Sequence, residues 1–167
     1  AQKMPEDFQK VKYSLCSIAF NPDTRTFGNQ IDTLYNGKET GKSVSFPRVS
    51  PDGKFMAFTL SGYGNFSIWH KDSDLYLANL QDGTIAPLEG ANSDNVESYH
   101  SWSSNSRWLV FSSRRIDGLY THPHLIHIDA EGKAGKPFIL PQKDATFYSS
   151  FMQSFNIPEF VKGPVEY

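Results

Sequence analysis

The chain has one cysteine, Cys16, in 167 residues, so an internal disulfide is excluded and cysteine usage says nothing decisive about compartment. No apolar run approaches the roughly 18 residues that a membrane-crossing helix requires. Excess charge of either sign is also missing: 16 Lys and Arg face 18 Asp and Glu, for a formal net charge of -2. Without a basic stripe or tail, nucleic-acid binding has no electrostatic footprint. Runs of Ala, Leu, Glu and Lys that favour long helices are scarce. There is no Gly-x-Ser-x-Gly elbow, no phosphate-binding loop and no dinucleotide fingerprint. The chain opens "AQKMPEDF", with neither an initiator Met nor a legible signal segment. Ala1 is therefore expected to be a mature or truncated start.

Aromatic residues, by contrast, are plentiful: 13 Phe, 8 Tyr and 3 Trp make up 14% of the chain. Such side chains suit pleated, half-buried surfaces. Twelve Gly and ten Pro punctuate the whole length, as turns do in an all-β protein. The length allows about one domain with its own core.

The segment "SFPRVSPDGKFMAF" (45–58) places a Ser-Pro-Asp-Gly turn between two short apolar runs. Pro presets φ and Gly supplies φ > 0 there. The run Lys54–Leu60 is apolar on both faces, which predicts a strand covered on both sides. Further along, "YHSWSSNSRWLVFSSRR" repeats the pattern, with Ser50 matching Ser103 and Phe58 matching Phe111, both 53 positions apart. "DLYLANLQDG" is likewise matched by "HLIHIDAEG". Four short strands in about fifty residues is the spacing of a propeller blade, which cannot bury its faces alone and must be stacked on a neighbour. The second turn, Ser103-Ser104-Asn105-Ser106, lacks Pro and Gly and is expected to close through side-chain hydrogen bonds.

At these residues the chain resembles the TolB-like six-bladed β-propeller family, whose blades carry "SPDGK" followed by apolar residues and then a "DLY…DG" strand and turn. The resemblance covers roughly residues 45–142. The whole chain also looks like the C-terminal part of periplasmic propeller proteins of Bacteroidetes-type bacteria. The fold class expected is all-β: a partial propeller of four-stranded antiparallel blades, about two and a half of them, with an irregular aromatic tail. The expected divisions are 1–44, the outer hairpin of a preceding blade plus a loop; 45–92, a blade; 93–142, a blade; and 143–167, a C-terminal tail or strap. Propellers close with 4–8 blades, so the chain is expected to be part of a larger propeller. Ring closure would need the remainder of that propeller, in the same or another chain, and self-association is a further expectation.

The chemistry-bearing residues point to binding rather than turnover. No catalytic residue, cofactor or metal site is assigned. "THPHLIH" has the look of a metal tract, but on a strand His122 and His124 share a face and His127 points away, and zinc needs about four converging ligands. The Asp residues at strand ends read as turn caps. Trp102 and Trp108 fall on strand positions expected in the core. Two loops at matching positions of the two blades stand out: "SGYGNFSIWHKDS", with Tyr63, Phe66, Trp69 and His70, and "SSRRIDGLYTHPH", with Arg114, Arg115, Tyr120 and His122. Matching loops lie on one face of a propeller, and aromatics and Arg are frequent binding anchors. The alternative is that the rings simply pack over the blade.

Two functional readings follow. One is a non-catalytic scaffold of the bacterial envelope, periplasmic by resemblance, that holds a protein or peptide partner; neither nucleic acid nor a membrane-spanning segment is expected. The other is the propeller part of an envelope enzyme, peptidase-gating or carbohydrate-active, whose catalytic residues lie elsewhere. The tail from Asp144, with Phe147, Tyr148, Phe151, Met152 and Phe155, reads either as a short helix or as an extended strap.

Overall fold

Strand β4 (Phe55–Ser61, FMAFTLS) is buried along its entire length, and this dictates the architecture around it. Its two faces need two covers. Phe55 and Ala57 face one way, into a core with Leu75, Leu77, Leu109, Phe111, Ile126 and others. Met56, Phe58 and Leu60 face the other way, against Leu15, Val44 and Ala78.

A computed structural model describes residues 7–164. Among these, a short 3-10 turn (Phe8–Lys10) leads into a hairpin of β1 (Leu15–Asn21) and β2 (Thr26–Tyr35). A four-stranded antiparallel meander follows: β3 (Ser43–Val49), β4, β5 (Asp74–Asn79) and β6 (Ile85–Pro87). A second meander repeats it: β7 (Glu97–Trp102), β8 (Trp108–Ser113), β9 (His122–His127) and β10 (Phe138–Ile139). The two sheets share no strand pairing. They stack face to face with the first strand of each adjacent to the other, so the chain is an all-β partial propeller. Phe58 and Phe111 are fully buried; truncating either to Ala is worth about 3–5 kcal/mol.

The turns explain why the second repeat tolerates the loss of Pro and Gly. In the first, Ser50 Oγ donates to Asp52 Oδ1 (2.6 Å) and accepts from Phe55 N (3.0 Å), and Gly53 takes φ 72°. In the second, Ser103 Oγ donates to Asn105 Oδ1 (2.7 Å) and accepts from Trp108 N (3.0 Å), and Ser106 takes φ 59° at the place of Gly53. The same side-chain network thus closes both turns.

Several details differ from the sequence reading. The first meander starts at Ser43, inside the stretch expected to be a loop, and that stretch also holds one helical turn, Gly37–Thr40, capped by Asn36. Trp102 is buried and donates from Nε1 to Arg48 O (2.9 Å), whereas Trp108 is only half-buried, edge-on to His127 and Phe138. The tail is both of its alternatives in succession: one helical turn (Phe147–Ser150), then an extended run whose Phe155 N reaches Thr121 O (2.9 Å) and whose carbonyls at Phe155 and Asn156 accept from Ser112 Oγ. Residues 1–6 and 165–167 of the expected divisions lie outside the described residues. No helix among the described residues is long and apolar enough to cross a membrane.

Candidate functional site

The loop between β4 and β5 is tied down at its base and pushed outward at its tip. Ser73 Oγ donates to Ser67 O (2.6 Å), and Ser67 Oγ sits 3.0 Å from Ser98 Oγ on β7. Between these ties the chain passes through two consecutive left-handed residues, Asn65 (φ 69°) and Phe66 (φ 49°), into a short 3-10 turn, Ser67–Trp69. A bulky residue held there costs on the order of 1–3 kcal/mol. At this tip Phe66 and Trp69 stand 68% and 66% exposed.

The loop between β8 and β9 meets it. Arg114 is only 8% exposed, and its guanidinium lies 3.9 Å from the centre of the Trp69 ring. This cation–π contact supports one face of the indole and leaves the other available. Asp117 Oδ1 accepts from the amides of Leu119 (2.8 Å) and Tyr120 (2.9 Å), which sets the course of the loop.

The N-terminal segment completes the wall. Gly64 N donates to Val11 O (2.7 Å), the Lys12 ammonium donates to Gly62 O, and Phe8 stands edge-on to Tyr63 (5.4 Å). These contacts enclose a hollow of about 620 Å3 lined chiefly by Phe8, Val11, Tyr63, Phe66, Trp69 and His70. That is a size and an apolar character suited to a ligand or an anchoring side chain. His70 lies against Tyr63 with ring centres 3.8 Å apart and planes tilted by 38°, and burial pushes its pKa down despite Asp72 nearby, so a neutral imidazole forms that wall.

The eight residues singled out in the sequence therefore separate. Tyr63, Phe66, Trp69 and His70 share the hollow, and Arg114 braces it from behind. Arg115 turns away: its NH2 group lies 3.1 Å from Oε1 of the fully buried Glu97. Glu97 also accepts from Ser93 N, Ser93 Oγ and Ser113 Oγ, so Arg115 neutralises an interior carboxylate. Tyr120 is half-buried on its own loop. His122 is fully buried on β9, edge-on to Tyr148 of the tail, and burial lowers its pKa. Among the described residues, no three His, Cys, Asp or Glu side chains converge as metal ligands.

A second hollow, of about 430 Å3, adjoins the first through Asn65 and Phe66. Its far wall is built on the innermost strands. β3 and β7 each carry a bulge, and at each bulge one aromatic residue takes a left-handed conformation: Phe46 (φ 53°) and Tyr99 (φ 50°). Their rings touch edge-on, with centres 4.9 Å apart. Sequence reasoning missed this pair, although an aromatic at equivalent positions 53 residues apart was a legible signal. It missed Phe8, Val11 and Tyr13 as well, because nothing local announces that the N-terminal segment reaches this face.

No protein-family model matches the sequence, and no curated protein matches it. Among solved structures, the chain is similar to the β-propeller domain of the Trilobed protease from Pyrococcus furiosus, described as having an open velcro topology, at 19% identity over 79% of this chain and 36% of that one, with a TM-score of 0.45. It is also similar to TolB from Acinetobacter baumannii, at 21% identity over 78% of this chain and 31% of that one, with a TM-score of 0.41. The chain spans about a third of the length of each of these structures.

Proposed function

We propose that this chain is a non-catalytic propeller scaffold that captures a protein or peptide partner on its loop face. The observation that carries the reading is the exposure of Phe66 and Trp69 beside an apolar hollow, maintained by two left-handed residues and by Arg114 behind the indole. Rigid sheets below, and aromatic anchors held at a strain cost above, are what a pre-organised binding surface requires. Work in the bacterial envelope belongs to the same proposal and is supported by the likeness of the blade motif to TolB-like propellers.

The test is selection of a phage-displayed random peptide library on the wild-type chain and on Phe66→Ala/Trp69→Ala. Peptides that bind the former and at least tenfold less well the latter, with far-UV circular dichroism unchanged, support the surface. Enrichment equal on both proteins overturns it. Arg115 is a poor choice for such a variant, since removing it strips the partner from Glu97 and tests the fold instead.

A further inference from the structure

The second hollow has a chemistry of its own. Six non-glycine residues among those described have positive φ, and four of them line this one place: Phe46, Asn65, Phe66 and Tyr99. Two of the four come from equivalent bulges in successive blades, so the device is built twice. Strain gathered at one spot, at three aromatic rings and one amide, marks a surface whose shape is fixed for a purpose.

Its lining carries no charged side chain. A phosphate, a carboxylate or a basic side chain would find no counter-charge there, so the occupant is neutral. The polar groups at the surface lean toward donation. Asn65 Oδ1 already accepts from the Tyr13 hydroxyl (3.0 Å), which leaves the amide NH2 free to donate, and Tyr99 lines the same hollow. Aromatic walls with donors and few acceptors complement a chain of unpaired carbonyls that offers no N–H of its own. A polyproline helix is such a chain: its rings pack on aromatic faces, its carbonyls are all free, and its rigidity keeps the ordering cost low.

We propose that the hollow between Phe46, Tyr99, Phe66 and Tyr13 binds a neutral proline-rich segment of the partner in polyproline II conformation. The inference rests on the peptide-capture reading and names the partner class for it. A sugar would also stack on these rings, and it is the competing occupant that the maltoheptaose arm of the experiment separates.

The experiment is fluorescence anisotropy of fluorescein-labelled decaproline against a labelled Gly-Ser decamer. The expected result is saturable decaproline binding at least tenfold tighter than Gly-Ser binding. Phe46→Gly/Tyr99→Gly should lose that preference while melting no lower than wild type, because glycine relieves both left-handed positions. Asn65→Asp, on an exposed residue, swaps the donor for a charged acceptor and should weaken decaproline by about tenfold even if the double glycine variant folds poorly. Equal affinity for the two peptides, or decaproline binding untouched by Asn65→Asp, overturns the proposal. So does saturable maltoheptaose binding with none of decaproline. If library peptides without proline still depend on Phe66 and Trp69, this inference alone falls and the capture surface stands.

Discussion

The backbone amide of Asp52 donates to Ser106 Oγ across the gap between the two sheets, at 2.9 Å. Each residue sits in the first turn of its own blade, so one hydrogen bond ties turn to turn. It also explains why Ser stands where the preceding blade has Gly53. Ser106 accepts the strain of φ 59° and, buried to 2% exposure, returns an inter-blade bond that glycine has no side chain to make.

Ser106→Ala should therefore be worse than Ser106→Gly. Alanine keeps the strain and loses the bond, for a loss of about 1–3 kcal/mol. Glycine loses the bond but relieves the backbone, offsetting about 1 kcal/mol. Urea titration of both variants checks the order; the reverse order would mean that the left-handed backbone at Ser106 holds no strain for glycine to relieve.

The Arg114–Trp69 contact joins the two loops and should behave as a coupled pair. A double-mutant cycle of Arg114→Met and Trp69→Ala, read by chemical denaturation, is expected to give a coupling of about 0.5–2 kcal/mol. A coupling near zero would show that the indole holds its place without the guanidinium.

Glu97 is fully buried, and Arg115 is the cation beside it. Arg115→Met is expected to cost about 3 kcal/mol, because it leaves an interior charge compensated only by Ser93 and Ser113. The double variant Arg115→Met/Glu97→Gln should recover much of that loss. Thermal melts at neutral pH distinguish this from simple loss of Arg packing, which Glu97→Gln would not repair.

Buried imidazoles make stability depend on pH, His100 and His124 most strongly. Burial pushes His100 and His124 down to about 4. Both His100 ring nitrogens are buried without hydrogen-bond partners. The folded state binds these protons less readily than the unfolded chain, whose histidines titrate near 6.5. Their stabilisation is thus fully present above pH 6.5 and lost as pH falls through 6.5 toward 4, by about 3 kcal/mol per imidazole. Urea midpoints measured from pH 7.5 to 4 should fall across this window, and His100→Phe should shallow the slope by about one proton.

Much of the fold was legible because it is written locally. The apolar run of β4, its echo in β8 and the Ser-x-Asx turn chemistry each sit within a dozen residues, and the 53-residue offset aligned them. The site was half legible. Glycines and aromatics marked the loop after β4, and it does present Phe66 and Trp69. Arg114, Arg115 and His122 read as surface groups by residue type, yet each turns inward to a partner distant in sequence: Trp69, Glu97 and Tyr148. The bulges at Phe46 and Tyr99 escaped notice because a bulge is a property of strand pairing, and pairing is not local.

The hairpin of β1 and β2 presents one more consequence of incomplete covering. Only its base is buried, through Leu15, while Tyr35 is half-buried against the first sheet's core. Along the rest, Ile18 pairs with Ile31 and Phe20 with Phe27, and Phe27 and Ile31 are 65% and 66% exposed. Contiguous apolar pairs on a two-stranded ribbon favour association with another surface, since a solitary hairpin gains little from its own contacts. Sedimentation velocity should show concentration-dependent association of the 167-residue chain, weakened at least tenfold by Phe27→Lys/Ile31→Lys with the melting temperature little changed. Charges at these positions leave the buried base untouched, so a variant that associates as strongly as wild type would place the contact elsewhere. The exposed tail residues Met152, Ile157 and Val161 would then be the next surface to substitute.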